Sequence, residues 1–251
     1  MVDKMTEYCV FRLYGPMASY GAVAVGENRH TYSHPSKSAV MGFIAGALGI
    51  RREDDLLLRS LSSGYGFSTL VSSAGIPVQD YHTVQAAPAV EVKRNPHILT
   101  RKDEVSIPRN KLGAIISKRD YLCDLISTVC VWKRRDDAPY SVGEIASAIS
   151  SPVFVPYLGR KSCPISVPTN AKVVNTDSIL EAYKSADFGD ESFLDSIARS
   201  GSSGMFWDED GISGLKAGEL QVLRDNPLSR KRWQFSDRKE YYAGVDLGGG
   251  S

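Results

Sequence analysis

Tyr8-Cys9-Val10-Phe11-Arg12-Leu13 is an apolar run closed by Gly15-Pro16, and it reads as a β-strand that opens the fold. The next segments settle the class. Residues Ser36 to Leu48 predict a helix, with Pro35 before it, Ser36 as N-cap and Gly49 as its stop. Ala39, Val40, Phe43, Ile44, Ala47 and Leu48 leave that helix few polar positions, so it has to pack on a sheet. Gly66-Phe67-Ser68-Thr69-Leu70-Val71 predicts a second strand, and Tyr121 to Trp132, rich in Leu, Ile and Val, a third. Ser141-Val142-Gly143-Glu144 is an S-x-x-E capping box, in which each side chain accepts a hydrogen bond from the other residue's free amide. The helix it starts runs through Ile145 and Ile149 to Pro152, and Val153-Phe154-Val155 with Tyr157-Leu158 predicts a fourth strand. The order β-α-β-β-α-β predicts an α+β, ferredoxin-like fold of the kind RRM domains use, over residues 1–165.

Two segments fall outside this frame. Residues 85–117 separate the second and third strands, too long for a hairpin loop and too basic for core, which predicts a functional excursion. From about Ser166 onward, short strand-like pieces such as Ala171-Lys172-Val173-Val174 and Leu220-Gln221-Val222-Leu223 alternate with acidic and Gly/Ser-rich turns. They predict a smaller β-rich lobe over residues 166–247, and Gly248-Gly249-Gly250-Ser251 reads as a linker or cloning scar.

Composition narrows the chemistry. No apolar run approaches the roughly 18 residues of a membrane helix, and the N-terminal residues carry no signal-like apolar stretch, so a cytoplasmic protein with no membrane contact is expected. Cys9, Cys123, Cys130 and Cys163 form no CxxC pair and resemble neither a zinc site nor a disulfide scaffold. No Cys pair, no set of carboxylates at useful metal-ligand spacing and no phosphate-binding glycine loop appears, so neither metal nor cofactor is expected. The net charge of +1 hides a polarised chain. Between Lys93 and Arg135 there are eleven basic residues against four acidic, and between Asp177 and Glu219 ten acidic against three basic. Such a chain can present a phosphate-binding face, or simply two solvated faces of opposite sign, and charge alone leaves both open.

Several blocks, in order, are similar to one family. They are Leu13-Tyr14-Gly15-Pro16-Met17-Ala18-Ser19-Tyr20-Gly21, then Arg29-His30-Thr31 to Pro35-Ser36-Lys37-Ser38 and on to Leu48-Gly49-Ile50-Arg51-Arg52. Asp80-Tyr81-His82-Thr83-Val84 and Arg119-Asp120-Tyr121-Leu122-Cys123-Asp124 follow, then Pro156-Tyr157-Leu158-Gly159-Arg160-Lys161-Ser162-Cys163-Pro164 and Arg238-Lys239-Glu240-Tyr241-Tyr242. Together they resemble the CasD family, the Cas-five subunit of type I-E CRISPR Cascade and a member of the RAMP superfamily. The resemblance spans essentially the whole chain and is thinnest from about Thr176 to Asn226. It implies an RRM-like fold with a basic thumb hairpin at residues 85–117 and no catalytic activity. It also implies a grip on the 5′ handle of the CRISPR RNA (crRNA) that caps the backbone filament in antiviral defence. The partners it implies are the backbone filament subunit and the large subunit, with target DNA met only through the complex. Guide cleavage in that system belongs to a separate subunit.

Each block also has a physical reading. Gly15, Pro16, Met17, Ser19 and Tyr20 lie in a loop straight after strand one, where small residues let the backbone approach a phosphate or base. Ser36 and Lys37 open the first helix. A cation there opposes the helix dipole, which favours an anion, so Ser36, Lys37 and free amides make a phosphate seat. Arg29, Tyr81 and His82 belong to the shared blocks, while Arg101, Arg109 and Arg119 give the excursion and its edge their charge. Arg160 and Lys161 follow the predicted fourth strand, at a sheet edge. Arg51-Arg52 and Arg230-Lys231-Arg232 are either solvated faces or partner contacts. A metal-independent endoribonuclease that processes pre-crRNA is the alternative, with His30, His82 and Lys37 supplying a base and a cation, against a purely hydrogen-bonding role for His82.

Overall fold

The computed structural model describes residues 5–22, 24, 26–189, 192–198, 203–216 and 218–245, so the expected linker at 248–251 lies outside the described residues. β1 (Thr6–Tyr14) is followed by the short strands β2 (Met17–Ala18), β3 (Tyr20–Gly21), β4 (Asn28–Arg29) and β5 (Thr31–Tyr32). Helices α1 (Lys37–Ala47) and α2 (Asp55–Gly64) lead into β6 (Tyr65–Ala86). Then come α3 (Ala89–Arg94), α4 (Arg101–Val105), β7 (Gly113–Lys133) and α5 (Val142–Ser150). The chain continues through β8 (Lys172–Thr176), α6 (Ile179–Ser185), α7 (Ser192–Ile197), β9 (Ser203–Asp208), β10 (Glu219–Ser229) and β11 (Gln234–Val245). One large sheet takes the order β10-β11-β9-β6-β7-β1-β8, every neighbour antiparallel, with β2 and β4 pairing on β7.

The apolar run that opens the fold lacks polar alternation because both of its faces are covered. Cys9, Phe11 and Leu13 pack with Val40, Ile44 and Ile145 on the α1–α5 side. Tyr8 and Val10 pack with Trp132, Ile179, Met205 and Trp207 on the other. α1 starts on its expected cap, Ser36, whose hydroxyl accepts from the Ala39 amide, and ends at Gly49, which adopts φ +76°. The Ser141–Glu144 capping box is present at the start of α5 in both of its bonds.

The fourth strand lies elsewhere than expected. Val153 to Leu158 is an extended loop with one isolated bridge, Tyr157 to Pro164, and Val155 stands 84% exposed. Its amides are diverted to the end of α1, Val153 N–H to Ala47 O at 3.0 Å and Phe154 N–H to Gly46 O at 3.2 Å. The free edge of β1 is taken by β8, with Tyr8 opposite Val174. The boundary expected at residue 165 therefore falls inside a continuous sheet, since β8 pairs with β1 and β9 with β6.

β6 and β7 pair from Tyr65–Lys133 out to Ala86–Gly113, far beyond the predicted strands. Residues 65–71 are buried, the register shifts between Val71 and Ser73, and the ribbon then leaves the core. Gly75 sits beside the turning point at φ +71°, where a Cβ would come 2.7 Å from the Cys123 carbonyl oxygen. The exposed ribbon from Ile76 outward is roughly 35 Å long at strand rise. Its tip carries α3, α4 and a single 3-10 turn, Arg109–Lys111.

Candidate nucleic-acid interface

A cleft of about 1210 Å³ runs along the outer side of α1, floored by Ala39, Gly42, Phe43 and Gly46. One wall is the chain around β4 and β5 with the 154–161 loop; the other is the segment after α1 with the β10–β11 turn. Seven Arg and Lys side chains line it (Arg29, Arg51, Arg52, Arg160, Lys161, Arg224 and Arg230) against two carboxylates, Glu53 and Asp225. Asp225 is buried on Arg238, so it offsets little of that charge toward the cleft. Phe154, Tyr157 and Trp233 are exposed aromatic rings on the same lining. Cations interleaved with exposed aromatic faces are what a single-stranded polyanion with free bases requires.

Of the residues expected at a binding site, Arg29, Ser36, Arg160 and Lys161 come together here, Ser36 as a buried part of the wall. Arg160 donates from Nη2 to the Arg29 carbonyl at 3.1 Å, and its guanidinium lies 4.9 Å from the Tyr121 ring centroid. Its Nη1 has no acceptor among the described residues. On the same lining, His30 donates from Nδ1 to Asp120 Oδ2 at 2.8 Å, and Asp120 Oδ1 accepts from Gln79 at 2.9 Å. These bonds, that of Gln79 first, hold the Asp120 carboxyl below the usual carboxylate range.

The loop after β1 is folded inward rather than offered to a ligand. Gly15, Ser19 and Tyr20 are buried, and only Pro16 and Met17 are exposed. Gly15 is needed for packing, since a Cβ there would sit 2.4 Å from the Pro164 carbonyl oxygen. Ser19 donates its hydroxyl to the Asp120 carbonyl at 2.7 Å and its amide to the Leu158 carbonyl at 3.0 Å.

The helix-start phosphate seat is likewise corrected. Ser36 is buried as a cap, and Lys37 is 1% exposed with Nζ 3.3 Å from Asp208 Oδ2. Lys37 and Arg238 belong to a buried network with Asp208, Asp225 and Glu240, and the part-exposed Arg134 joins it from the edge, where it also pairs with Asp210. Asp208 accepts from Lys37, from Arg134 at 2.5 Å, from Arg238 at 2.7 Å and from the Phe67 amide at 3.3 Å. Asp225 accepts from Arg238 Nε and Nη2, both at 2.9 Å, and from the Lys37 amide at 2.7 Å. Glu240 accepts from Arg238 at 2.7 Å and from His34 Nε2 at 3.0 Å, while His34 stacks on Phe206 at 3.9 Å. Burial lowers the Lys37 ammonium pKa against the opposing pull of Asp208. Burial also works against the Arg238 charge, but its bonds to Asp225, with Glu240 and Asp208 beside it, hold its pKa above the ordinary value. The network clamps residues 34–37 to β9, β10 and β11, fixing the start of α1 against the hairpin that walls the cleft. Sequence reasoning missed it because its members are scattered from position 34 to position 240.

Tyr81, His82, Arg101, Arg109 and Arg119 all lie exposed on the ribbon or its tip. His82 donates from Nδ1 to Asp80 at 2.9 Å, Arg119 donates to Ser117 Oγ at 3.3 Å, and Arg101 bridges Glu104 at 2.7 Å and the Gln85 carbonyl at 2.5 Å. His30, His82 and Lys37 thus have three different carboxylate partners, and the cation of that set is buried. Among the described residues no group of three or more His, Cys, Asp or Glu could hold a metal ion, and no helix is long and apolar enough to cross a membrane.

A family model described as CRISPR-associated protein (Cas_Cas5) matches residues 8–240. The CRISPR system Cascade subunit CasD of Escherichia coli (strain K12) is 32% identical over 174 residues, covering 65% of this chain and 70% of that protein. A chain of a CRISPR RNA-guided surveillance complex is similar in fold at a TM-score of 0.63 and 22% identity, over 95% of this chain and 90% of its own. A second similar structure, titled as a crystal structure of a Cas protein, has a TM-score of 0.56 at 18% identity over 94% of both chains.

Proposed function

The chain belongs to the Cas5 family of CRISPR-associated proteins, and on that premise we propose that it is a non-catalytic RNA-binding subunit of a Cascade surveillance complex, gripping the 5′ handle of the crRNA. The observation that carries this reading is the cleft, where seven cations and three exposed aromatic rings face two carboxylates, one of them neutralised from within. Arg29, Arg51, Arg52 and Lys161 meet the backbone there, and the arginines of the ribbon extend the positive surface. β8-β1-β7-β6 runs fourth, first, third, second through the β-α-β-β-α-β frame, and this order supports an RRM-like, ferredoxin-like core. The β6–β7 ribbon with its basic tip then serves as the thumb. Residues 166–247 contribute the edge strand β8 and the β9–β11 extension, whose last turn walls the cleft. The partners that go with this reading are a backbone filament subunit and a large subunit, and target DNA reaches the protein only through them.

The test is binding of single-stranded handle RNA by the purified chain, followed by fluorescence anisotropy across salt concentrations. Each cation that neutralises a phosphate of a single strand adds about 0.7 to the slope of log affinity against log salt. The combined variant Arg101→Glu, Arg109→Glu, Arg119→Glu changes only exposed side chains, so it should melt like the parent while binding RNA more weakly and with a shallower slope. Parental affinity and slope in that variant would remove the ribbon from the reading. The same result for Arg51→Glu with Lys161→Glu would remove the cleft.

A further inference from the structure

The β10–β11 turn places Trp233 in an unusual position. Ser229 and Gln234 form the last pair of the hairpin, and Trp233 adopts φ +56°, a left-handed conformation that is costly for a bulky non-glycine residue and that clusters at ligand sites. The turn around it is built rigidly. Ser229 Oγ donates to Asp55 at 3.1 Å and accepts from the Arg232 amide at 3.2 Å, and Arg52 reaches the Arg230 carbonyl at 3.4 Å. The Arg230 guanidinium crosses α1 at Gly42, where a Cβ would come 3.1 Å from it, and donates to the Ser38 carbonyl.

All this fixing does not bury the indole. Trp233 remains 59% exposed on the cleft wall, with the Arg52 guanidinium 4.8 Å and the Arg230 guanidinium 5.9 Å from its ring and Phe235 edge-on at 5.7 Å. Both guanidiniums already lie over the ring, and what they leave uncovered is the 59% of the residue that stays open to the cleft. Held out in a cleft of seven cations, it offers a π-face beside phosphate-binding charge. That charge complements a polyanion and disfavours an apolar or basic protein surface.

We propose that Trp233 is a base-stacking platform: one unstacked nucleobase of single-stranded RNA lies on its indole while Arg51, Arg52 and Lys161 meet the adjoining phosphates. The inference rests on the reading of the cleft as an RNA site and names the group that engages a base there. Trp132 and Trp207 are 5% and 3% exposed, so a ligand that stacks on tryptophan reports on Trp233 alone.

The experiment titrates the full chain with a short single-stranded oligoribonucleotide and with an abasic oligomer of the same length, following tryptophan fluorescence and anisotropy. Expected is quenching by the base-containing strand and none by the abasic one, a comparison that needs no variant. Trp233→Leu should lose the quenching and roughly tenfold in affinity for the base-containing strand, the scale of one stacked base, with abasic binding unchanged. Trp233→Phe should keep most of the affinity. Salt-dependent RNA binding without quenching, and unaltered in Trp233→Leu, would overturn the platform while leaving the RNA-binding reading in place. Absence of RNA binding by the parent chain would overturn both. A Trp233→Leu chain that binds RNA normally but no longer joins its partner subunits would assign the residue to a protein contact instead.

Discussion

Lys37→Met separates a structural lysine from a ligand-binding one. In the fold the Lys37 ammonium faces Asp208 at 3.3 Å among Arg238, Asp225 and Glu240, all nearly out of reach of water, with the part-exposed Arg134 at the edge of the set. Methionine fills nearly the same volume and leaves the Lys37 amide bond to Asp225 intact, so the change is mainly one of charge. Breaking a buried pair by removing one partner costs about 3–5 kcal/mol, because the other charge stays buried. Asp208 keeps Arg134 and Arg238, which places the expected loss at the lower end, about 3 kcal/mol. For a chain of this size each kcal/mol lowers the melting temperature by about 2–4 °C, so the variant should melt about 6–12 °C lower. Adding Asp208→Asn removes the carboxylate that lost a cation, and the double variant should be more stable than the sum of the singles by about 0.5–3 kcal/mol. The salt slope of RNA binding should not change. An unchanged melting temperature with a slope shallower by about 0.7 would refute the reasoning and return Lys37 to the phosphate.

Other outcomes follow from the same geometry. Gly159 has φ +82° and a Cβ there would lie 2.1 Å from the Ser19 carbonyl oxygen, so Gly159→Ala should cost about 1–3 kcal/mol in chemical denaturation and loosen the 157–164 loop. The folded-state pKa of Asp120 is held below its ordinary 3.8 by Gln79 and His30, so the unfolded chain binds the proton more readily. Its contribution to stability is therefore present above that ordinary value and lost as pH falls through the lower folded one, and Asp120→Asn should show a shallower acid limb in melting temperature against pH. Labelled repeat RNA incubated with the pure chain in EDTA should stay intact; site-specific cuts that vanish in His82→Ala would make the protein an endoribonuclease.

What the sequence made legible were features written in neighbouring residues. The Ser36 and Ser141 caps each work within three residues, and both helices begin where those serines predict. The largely apolar run Tyr8–Leu13 predicted a strand, and it is β1, covered on both faces. Val153–Leu158 is also largely apolar and yet forms no strand: Pro156 lacks a ladder donor, and β8 already occupies the edge that β1 has left. The β6–β7 ribbon was underestimated for a related reason. Beyond Ile76 its residues are held by one another rather than by a core, so the apolar pattern that marks a strand fades while the pairing continues.

The site divides along the same line. Arg29, Arg160 and Lys161 were readable because they sit in compact blocks, and the fold brings those blocks to one rim of the cleft. Lys37 was misread because a cation in a helix's first turn looks like an anion seat until the position of Asp208, 171 residues later, is known. The opposite rim had only a weak signal. Arg51-Arg52 and Arg230-Lys231-Arg232 were equally compatible with solvated faces, and nothing local joins positions 52 and 230. Their association is made by Asp55 on the turn, by Ser38 through Arg230, and by the buried pairing of Arg238 with Asp208 and Asp225 that orients the whole hairpin. The buried network missing from the sequence reading is thus the physical reason that a second set of cations faces the first. A variant that unlocks it should lose RNA affinity without any cleft residue having been changed, unless, as for Lys37→Met, Arg238 keeps its three carboxylates.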